Sequence, residues 1–257
     1  MMKQFVFLIG FLFYTYSLYA ECRENGLSAF PEERLIKQNS IFMLEGYAQS
    51  QKIISGLNTT HQIYLQSGNK KINLLVRKIY KGQFYLTQAI LFPEIPLESG
   101  IEYTMHIDSL PAYERLNRYN SETKHSETIT YKVLSYADTI KPILISQPKE
   151  QLKRLVHYGC GPSIYVDFDF PVRDSSEVLI KTTVKNIQTG KETTYCIIPY
   201  SSKISVGHSM CSGAFTFDQG VNYEVEFSFM DASGNTTAWT GKRIAFTKPV
   251  TSTPFDE

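Results

Sequence analysis

Leu97-Glu-Ser-Gly100-Ile-Glu-Tyr103-Thr-Met-His-Ile107 is matched, about 120 residues further along, by Phe217-Asp-Gln-Gly220-Val-Asn-Tyr223-Glu-Val-Glu-Phe227. Each copy runs from an apolar residue to a Gly, then to a Tyr that opens a stretch of alternating apolar and polar residues. A Gly takes the left-handed backbone that a tight crossover needs, and a Tyr at the start of the next strand buries its ring and returns its hydroxyl to the turn. This is the tyrosine corner of β-sandwiches. Its repetition predicts two sandwiches in tandem, with Tyr103 and Tyr223 as the corner residues. The architecture predicts no activity by itself, because sandwiches carry many unrelated functions.

The 257 residues leave room for two domains of roughly 100 residues each. The start, Met1-Met-Lys3, an apolar run from Phe5 to Leu18 and then Tyr19-Ala20, has the charged head, apolar middle and small final residue of a secretory signal. The expected division is a signal at 1–20, one sandwich at 21–137, a second at 138–248 and a polar tail at 249–257. The apolar run is short for a membrane-spanning helix, which wants about 20 residues, and no second long apolar run follows. The mature chain is therefore expected to have no transmembrane segment. Lipid attachment at Cys22 is a lesser alternative, because Glu21 is too large for the position before a lipidated cysteine. The expected location is secreted, periplasmic or at the cell surface.

Lys and Arg number 26 against 25 Asp and Glu, giving a net charge of +1 with the signs interspersed. No basic stripe is available to neutralise phosphates, so nucleic acid is not an expected partner. Aromatic residues make up 13% of the chain, and strand packing accounts for most of them.

From Ile41 onward the apolar pattern has period two or falls in short runs between Gly, Asn, Ser and Pro, so the fold class is all-β. Strands are expected at 41–45, 61–66, 72–78, 84–91, 101–107 and 128–136 in the first half. In the second they are expected at 143–146, 163–170, 178–186, 193–199, 203–206, 214–217, 221–230 and 238–246. Ile164, Val166, Phe168 and Phe170 share one face of their strand, leaving Tyr165, Asp167 and Asp169 for water. Residues 112–127 are polar and charged and read as a long exposed loop, the best place in the first half to look for a binding surface.

Two stretches carry a family resemblance. Asp138-Thr-Ile-Lys-Pro-Ile-Leu-Ile145 resembles the entry strand of bacterial Ig-like repeat domains, and Asp231-Ala-Ser-Gly-Asn-Thr236 resembles the hairpin near their end. Leu91-Phe-Pro-Glu-Ile-Pro-Leu-Glu-Ser-Gly-Ile-Glu-Tyr103 is similar to the matching stretch of another bacterial Ig-like subtype. The resemblance implies an immunoglobulin or fibronectin type III-like sandwich used as a surface, adhesive or spacer module. It departs from antibody-type domains, with Met105 and Val225 where those place a cysteine, and with Trp239 on the last expected strand.

Four cysteines, Cys22, Cys160, Cys196 and Cys211, suit disulfides in an oxidising compartment. Sequence does not choose among the three pairings; Cys160 with Cys211 is the favoured one, because both look like loop anchors. His157-Tyr-Gly-Cys160 and His208-Ser-Met-Cys211 share a His-x-x-Cys spacing, and two such arms would suit a tetrahedral zinc ion, a weaker alternative to the disulfide. Gly207-His-Ser-Met-Cys211 brushes against a hydrolase nucleophile elbow but lacks the last Gly and any later His. Asp231, Ser233 and Asn235 offer oxygens to calcium, although the geometry of a turn is the preferred explanation of them. Asn58-Thr-Thr60 and Asn235-Thr-Thr237 fit the glycosylation acceptor pattern. No phosphate loop, His-Glu-x-x-His or dinucleotide fingerprint occurs.

These observations predict an exported, non-catalytic protein that binds or presents a surface, needs no cofactor, and meets a protein or glycan ligand at the cell surface. Tyr113, Tyr119 and Tyr200 are candidate contact residues. The rival is a carbohydrate-binding or enzyme-accessory module, in which Trp239 and exposed tyrosines would stack on sugar rings.

Overall fold

Nearly every segment of period-two alternation becomes a paired strand in the computed structural model, which describes residues 21–251. The expected signal at 1–20 and residues 252–257 of the tail lie outside the described residues. The fold is all-β. The one α-helix among the described residues is Gln51–Ser55, and none is long and apolar enough to cross a membrane.

Strands from residues 25–133 form two layers joined by one long strand. Lys70–Lys81 pairs with Ile63–Ser67 through its first four residues and with Leu86–Pro93 through the rest, with the register slipping between Val76 and Lys78. A bulge of this kind bends a strand and leaves backbone groups off the ladder. Asn58 takes them up: its Oδ1 accepts from Val76 N at 2.7 Å and its Nδ2 donates to Leu74 O at 2.9 Å. That amide is spent inside the fold, so Asn58 is not presented as a glycosylation acceptor. Phe42, Leu44, Leu65, Leu74, Tyr103 and Tyr131 fill the space between the layers.

In the second half, Glu150–Tyr158, Gly161–Asp169 and Lys203–His208 form one layer. Glu192–Ile197, Val178–Asn186 and Asn222–Asp231 form the other, with Ile244–Thr247 and Thr236–Thr237 both paired to the last of these. Phe168 and Phe227 meet edge-on at 5.4 Å between the layers, and Tyr223 stacks on Phe246 at 5.6 Å.

Several elements differ from expectation. Residues 112–127 are not a bare loop, since Asn117–Asn120 and His125–Thr128 pair as a hairpin. Asn120 closes its turn by accepting from Glu122 N and Thr123 N. Glu150–Tyr158 pairs as a strand although its apolar residues Leu152, Leu155 and Val156 do not alternate, and its register slips only at its start, between Glu150 and Leu152. Residues 214–217 form no ladder; Phe215 and Phe217 enter the core as plugs. Asp167 is not wet but 1% exposed. Arg154 from one neighbouring strand donates to both its oxygens at 2.9 Å, and Ser205 from the other donates at 2.8 Å, so the pairing strands roof it over.

The two halves do not merely follow one another. Met43, Glu45, Gln88 and Ile90 lie on the side of their strands opposite Phe42, Leu44, Ala89 and Leu91, the side a lone sandwich gives to water. Here Phe30, Ile41, Met43 and Ile90 pack with Leu179, Cys196 and Ala232 of the second half. Gln88 reads the backbone of Cys196 at two points, Nε2 to its carbonyl at 3.1 Å and Oε1 from its N–H at 2.7 Å. Further along, Phe84 and Gly213 exchange backbone hydrogen bonds of 3.0 and 2.8 Å.

The repeated corner divides at its hydroxyl. Gly100 and Gly220 both have the left-handed backbone, at φ 76° and 68°, and both tyrosine rings are buried. Tyr223 donates to Gln219 O four residues back, whereas the buried Tyr103 hydroxyl has no hydrogen-bond partner. A buried hydroxyl left without a partner costs stability, and a satisfied one contributes about 1 kcal/mol. Tyr223→Phe is therefore expected to lower unfolding stability by about 1 kcal/mol, and Tyr103→Phe to leave it unchanged or raise it, as read by urea denaturation.

Candidate functional site

The seam between the halves brings polar chemistry into a buried place. Glu45 Oε2 accepts from the Tyr195 hydroxyl at 2.8 Å. Burial pushes the Glu45 carboxyl above its usual range, and Tyr195 is pushed up by burial and by the adjacent carboxylate. A cavity of about 230 Å³ opens beside them, lined also by Tyr165, Ser205, Gly207 and Ser209. A carboxyl whose folded pKa is raised stabilises the fold most when protonated, and that contribution is lost as pH rises through the raised value. Glu45→Gln keeps an acceptor for Tyr195 and removes the titration. Its expected effect is higher thermal stability than wild type at neutral pH. The gap should narrow as pH falls toward the ordinary glutamate range, as followed by calorimetry.

At the edge of the seam the sulfurs gather. The disulfide joins Cys22 to Cys211, not Cys160 to Cys211, at a sequence separation of 189. The reason is that the segment before the strand Asn25–Phe30 crosses to the loop after Lys203–His208, a tertiary placement with no signature in the spacing of cysteines. In the loop-entropy picture a ring of that size is worth on the order of 5 kcal/mol. The Cys160 sulfur is close by, and all three lie within 4.8 Å of one another. Cys196 is elsewhere, buried in the seam, and burial pushes its thiol up to about 12. It is not a partner for Cys22.

The histidines of the two His-x-x-Cys arms do not join this cluster. His157 is exposed on its strand. His208 is buried, meets Ser209 O through Nδ1 at 2.8 Å and stands edge-on to Phe84. The metal-capable groups among the described residues include neither histidine. Ser209 is no nucleophile at an elbow. Its Oγ donates to Ser212 O and accepts from the N–H groups of Cys211 and Ser212, shaping the loop that presents Cys211.

Asp231 organises the hairpin resembling that of Ig-like repeats, accepting from Ser233 N and Asn235 N at 2.8 Å and from Asn235 Nδ2 at 2.8 Å. Asp138, Asp174 and Asp231 bring carboxylate oxygens within 4.8 Å of one another. Donors already meet at least five of those six oxygens, so the corner serves as a hydrogen-bonded joint between linker and hairpin. Asn235 is held there too, donating to Asp138 O at 3.0 Å, and is not presented to a glycan.

Outside the seam, the hairpin at 117–128 overhangs a cleft of about 370 Å³ lined by Arg34, Arg118, Tyr119, Asn120, Glu122 and Glu127. Arg118 anchors it by donating to Glu32 O at 2.7 Å, to Ala29 O and Pro31 O, and to the Tyr131 hydroxyl at 3.1 Å. Glu127 accepts from Thr123, Asn120 and Arg34, and those contacts hold its carboxyl below the usual range. Tyr119 is left 64% exposed, beside fixed polar groups of both signs. Tyr113 and Tyr200 are also exposed, at 55% and 82%. Trp239 is not; it packs edge-on against Phe227, with its ring nitrogen buried and without a partner. Sequence marked this region through its polarity, but nothing in it foretold that Arg118 would pin the hairpin to residues nearly 90 positions away.

No family model and no curated protein matches the chain. Solved structures that resemble it include a type I pullulanase from Bacillus subtilis str. 168 complexed with maltose, at 9% identity and a TM-score of 0.26, over 88% of this chain and 25% of that one. Another is a pullulanase from Anoxybacillus sp. LM18-11 complexed with maltotriose, at 10% identity and a TM-score of 0.25, over 78% of this chain and 24% of that one. The chain thus spans about a quarter of the length of these enzymes, and no ligand or activity is inferred from similarity at this level.

Proposed function

We propose that the chain is an exported, non-catalytic binding protein of two Ig-like sandwiches, serving adhesion or envelope structure, and that the cleft under the 117–128 hairpin is its contact surface. The observation that carries this reading is the combination, at one place, of an exposed aromatic ring with polar groups already fixed by the fold. Tyr119 offers contact area at small entropy cost. Arg34, Arg118 and Glu127 are held by their own hydrogen bonds, so little ordering remains to be done on binding. The disulfide supports an oxidising destination, as does the signal-like start of the chain.

A glycan is the second reading. A tyrosine flanked by amide, guanidinium and carboxylate groups is the chemistry that stacks on a sugar ring and bonds its hydroxyls, and this cleft offers it without Trp239. Retention on envelope fractions and on a panel of insoluble polysaccharides tests both. Wild type is expected to be retained, and Tyr119→Ala to bind about tenfold or more weakly, a loss of about 1.4 kcal/mol. Protease treatment of the envelope fraction separates protein ligands from glycans. Retention that Tyr119→Ala leaves unchanged would remove the cleft from the proposal, and no retention of wild type on any matrix would remove the binding function.

A further inference from the structure

We propose that Cys22, Cys160 and Cys211 form an intramolecular thiol–disulfide exchange site that fastens and releases the N-terminal segment. Three observations carry this. The Cys160 sulfur lies within 4.8 Å of both sulfurs of the Cys22–Cys211 bond and is outside that bond. Cys160 is only partly buried and sits in the turn between Glu150–Tyr158 and Gly161–Asp169. Gly161–Asp169 pairs with Lys203–His208, whose end leads to Cys211, so Cys160 and Cys211 are carried by one sheet, whereas Cys22 comes from the other half.

Exchange needs no outside oxidant. The Cys160 thiolate attacks the Cys211 sulfur, the Cys160–Cys211 bond forms, and the Cys22–Cys211 bond breaks with its electron pair leaving on Cys22. Cys22 takes up the proton that Cys160 gave away, so the number of thiols and disulfides is unchanged. The product keeps a bridge inside the sheet of the second half, and Cys22 no longer fastens the chain start to it. The Ser209 hydroxyl accepts from the Cys211 N–H and so fixes the backbone that carries the attacked sulfur. The reverse attack by Cys22 restores the fastening.

The test uses the full mature chain, purified with its disulfide intact and held at about pH 8.5, where an ordinary thiol is half ionised. A maleimide pulse is followed by peptide mapping without reduction. Expected are two populations, one labelled at Cys160 with Cys22 linked to Cys211, the other labelled at Cys22 with Cys160 linked to Cys211. Labelling of Cys22 is expected to be lost in Cys160→Ser. Label confined to Cys160 at every time point would overturn the proposal, as would label at Cys211 with Cys22 linked to Cys160. A second variant guards against misfolding effects. Cys22→Ser, refolded in a glutathione buffer, should close Cys160 to Cys211, and two alkylatable thiols there would show that these sulfurs do not bond.

Discussion

A sandwich ordinarily buries one face of each sheet and wets the other. The strands Phe42–Ala48 and Leu86–Pro93 bury both, and the rest of the molecule follows from that. One face closes the core of the first half, and the other receives Leu179, Cys196 and Ala232. Polar residues on that second face had to be given partners, because a buried group without one costs about 1–3 kcal/mol. Gln88 therefore pairs with both backbone groups of Cys196, and Glu45 is shared with Tyr195. Two sandwiches connected this way have no free hinge across the seam, which gives exposed surfaces such as the hairpin cleft a fixed platform.

The same constraint sorts the reactive groups. Cys196, held within the seam, has its thiol pushed up by burial, whereas Cys22, Cys160 and Cys211 collect at the margin where the chain start meets a loop of the second half. Carboxylates divide likewise. Asp167 is buried but charge-paired with Arg154, Asp231 is absorbed by its own turn, and Glu45 is partly buried with only neutral donors around it. Of the three, Glu45 most directly opposes the packing that surrounds it.

How much of this was legible depends on how local its cause is. The corner repeat was, because a left-handed Gly and a buried Tyr ring are properties of a few consecutive residues; the fate of the two hydroxyls was not, since Tyr223 finds Gln219 O and Tyr103 finds nothing. Alternation located most strands and failed where apolar residues do not recur every second position, as in Glu150–Tyr158 with Leu152, Leu155 and Val156. The run Thr87-Gln-Ala-Ile-Leu91 held the clue to the seam, for all five residues are buried. Gln88 concealed it by looking like a residue for water. Pairing of cysteines and the pinning of the 117–128 hairpin by Arg118 depend on contacts between distant parts of the chain, and no spacing rule reaches them.

The covalent ring closed by Cys22 and Cys211 bears on mechanics as well as on stability. With the two cysteines 189 positions apart, the first half and the second half as far as the loop after Lys203–His208 lie inside the ring, while the strand Asn222–Asp231 and the two strands paired to it lie outside. Tension entering at the start of the described chain and leaving at its end passes through the sulfur–sulfur bond. Only the stretch after Cys211 is then pulled directly, Ala232 of the seam included, while the first half bears no axial load. A chain closed in this way can be pulled from its two ends while its first half stays folded.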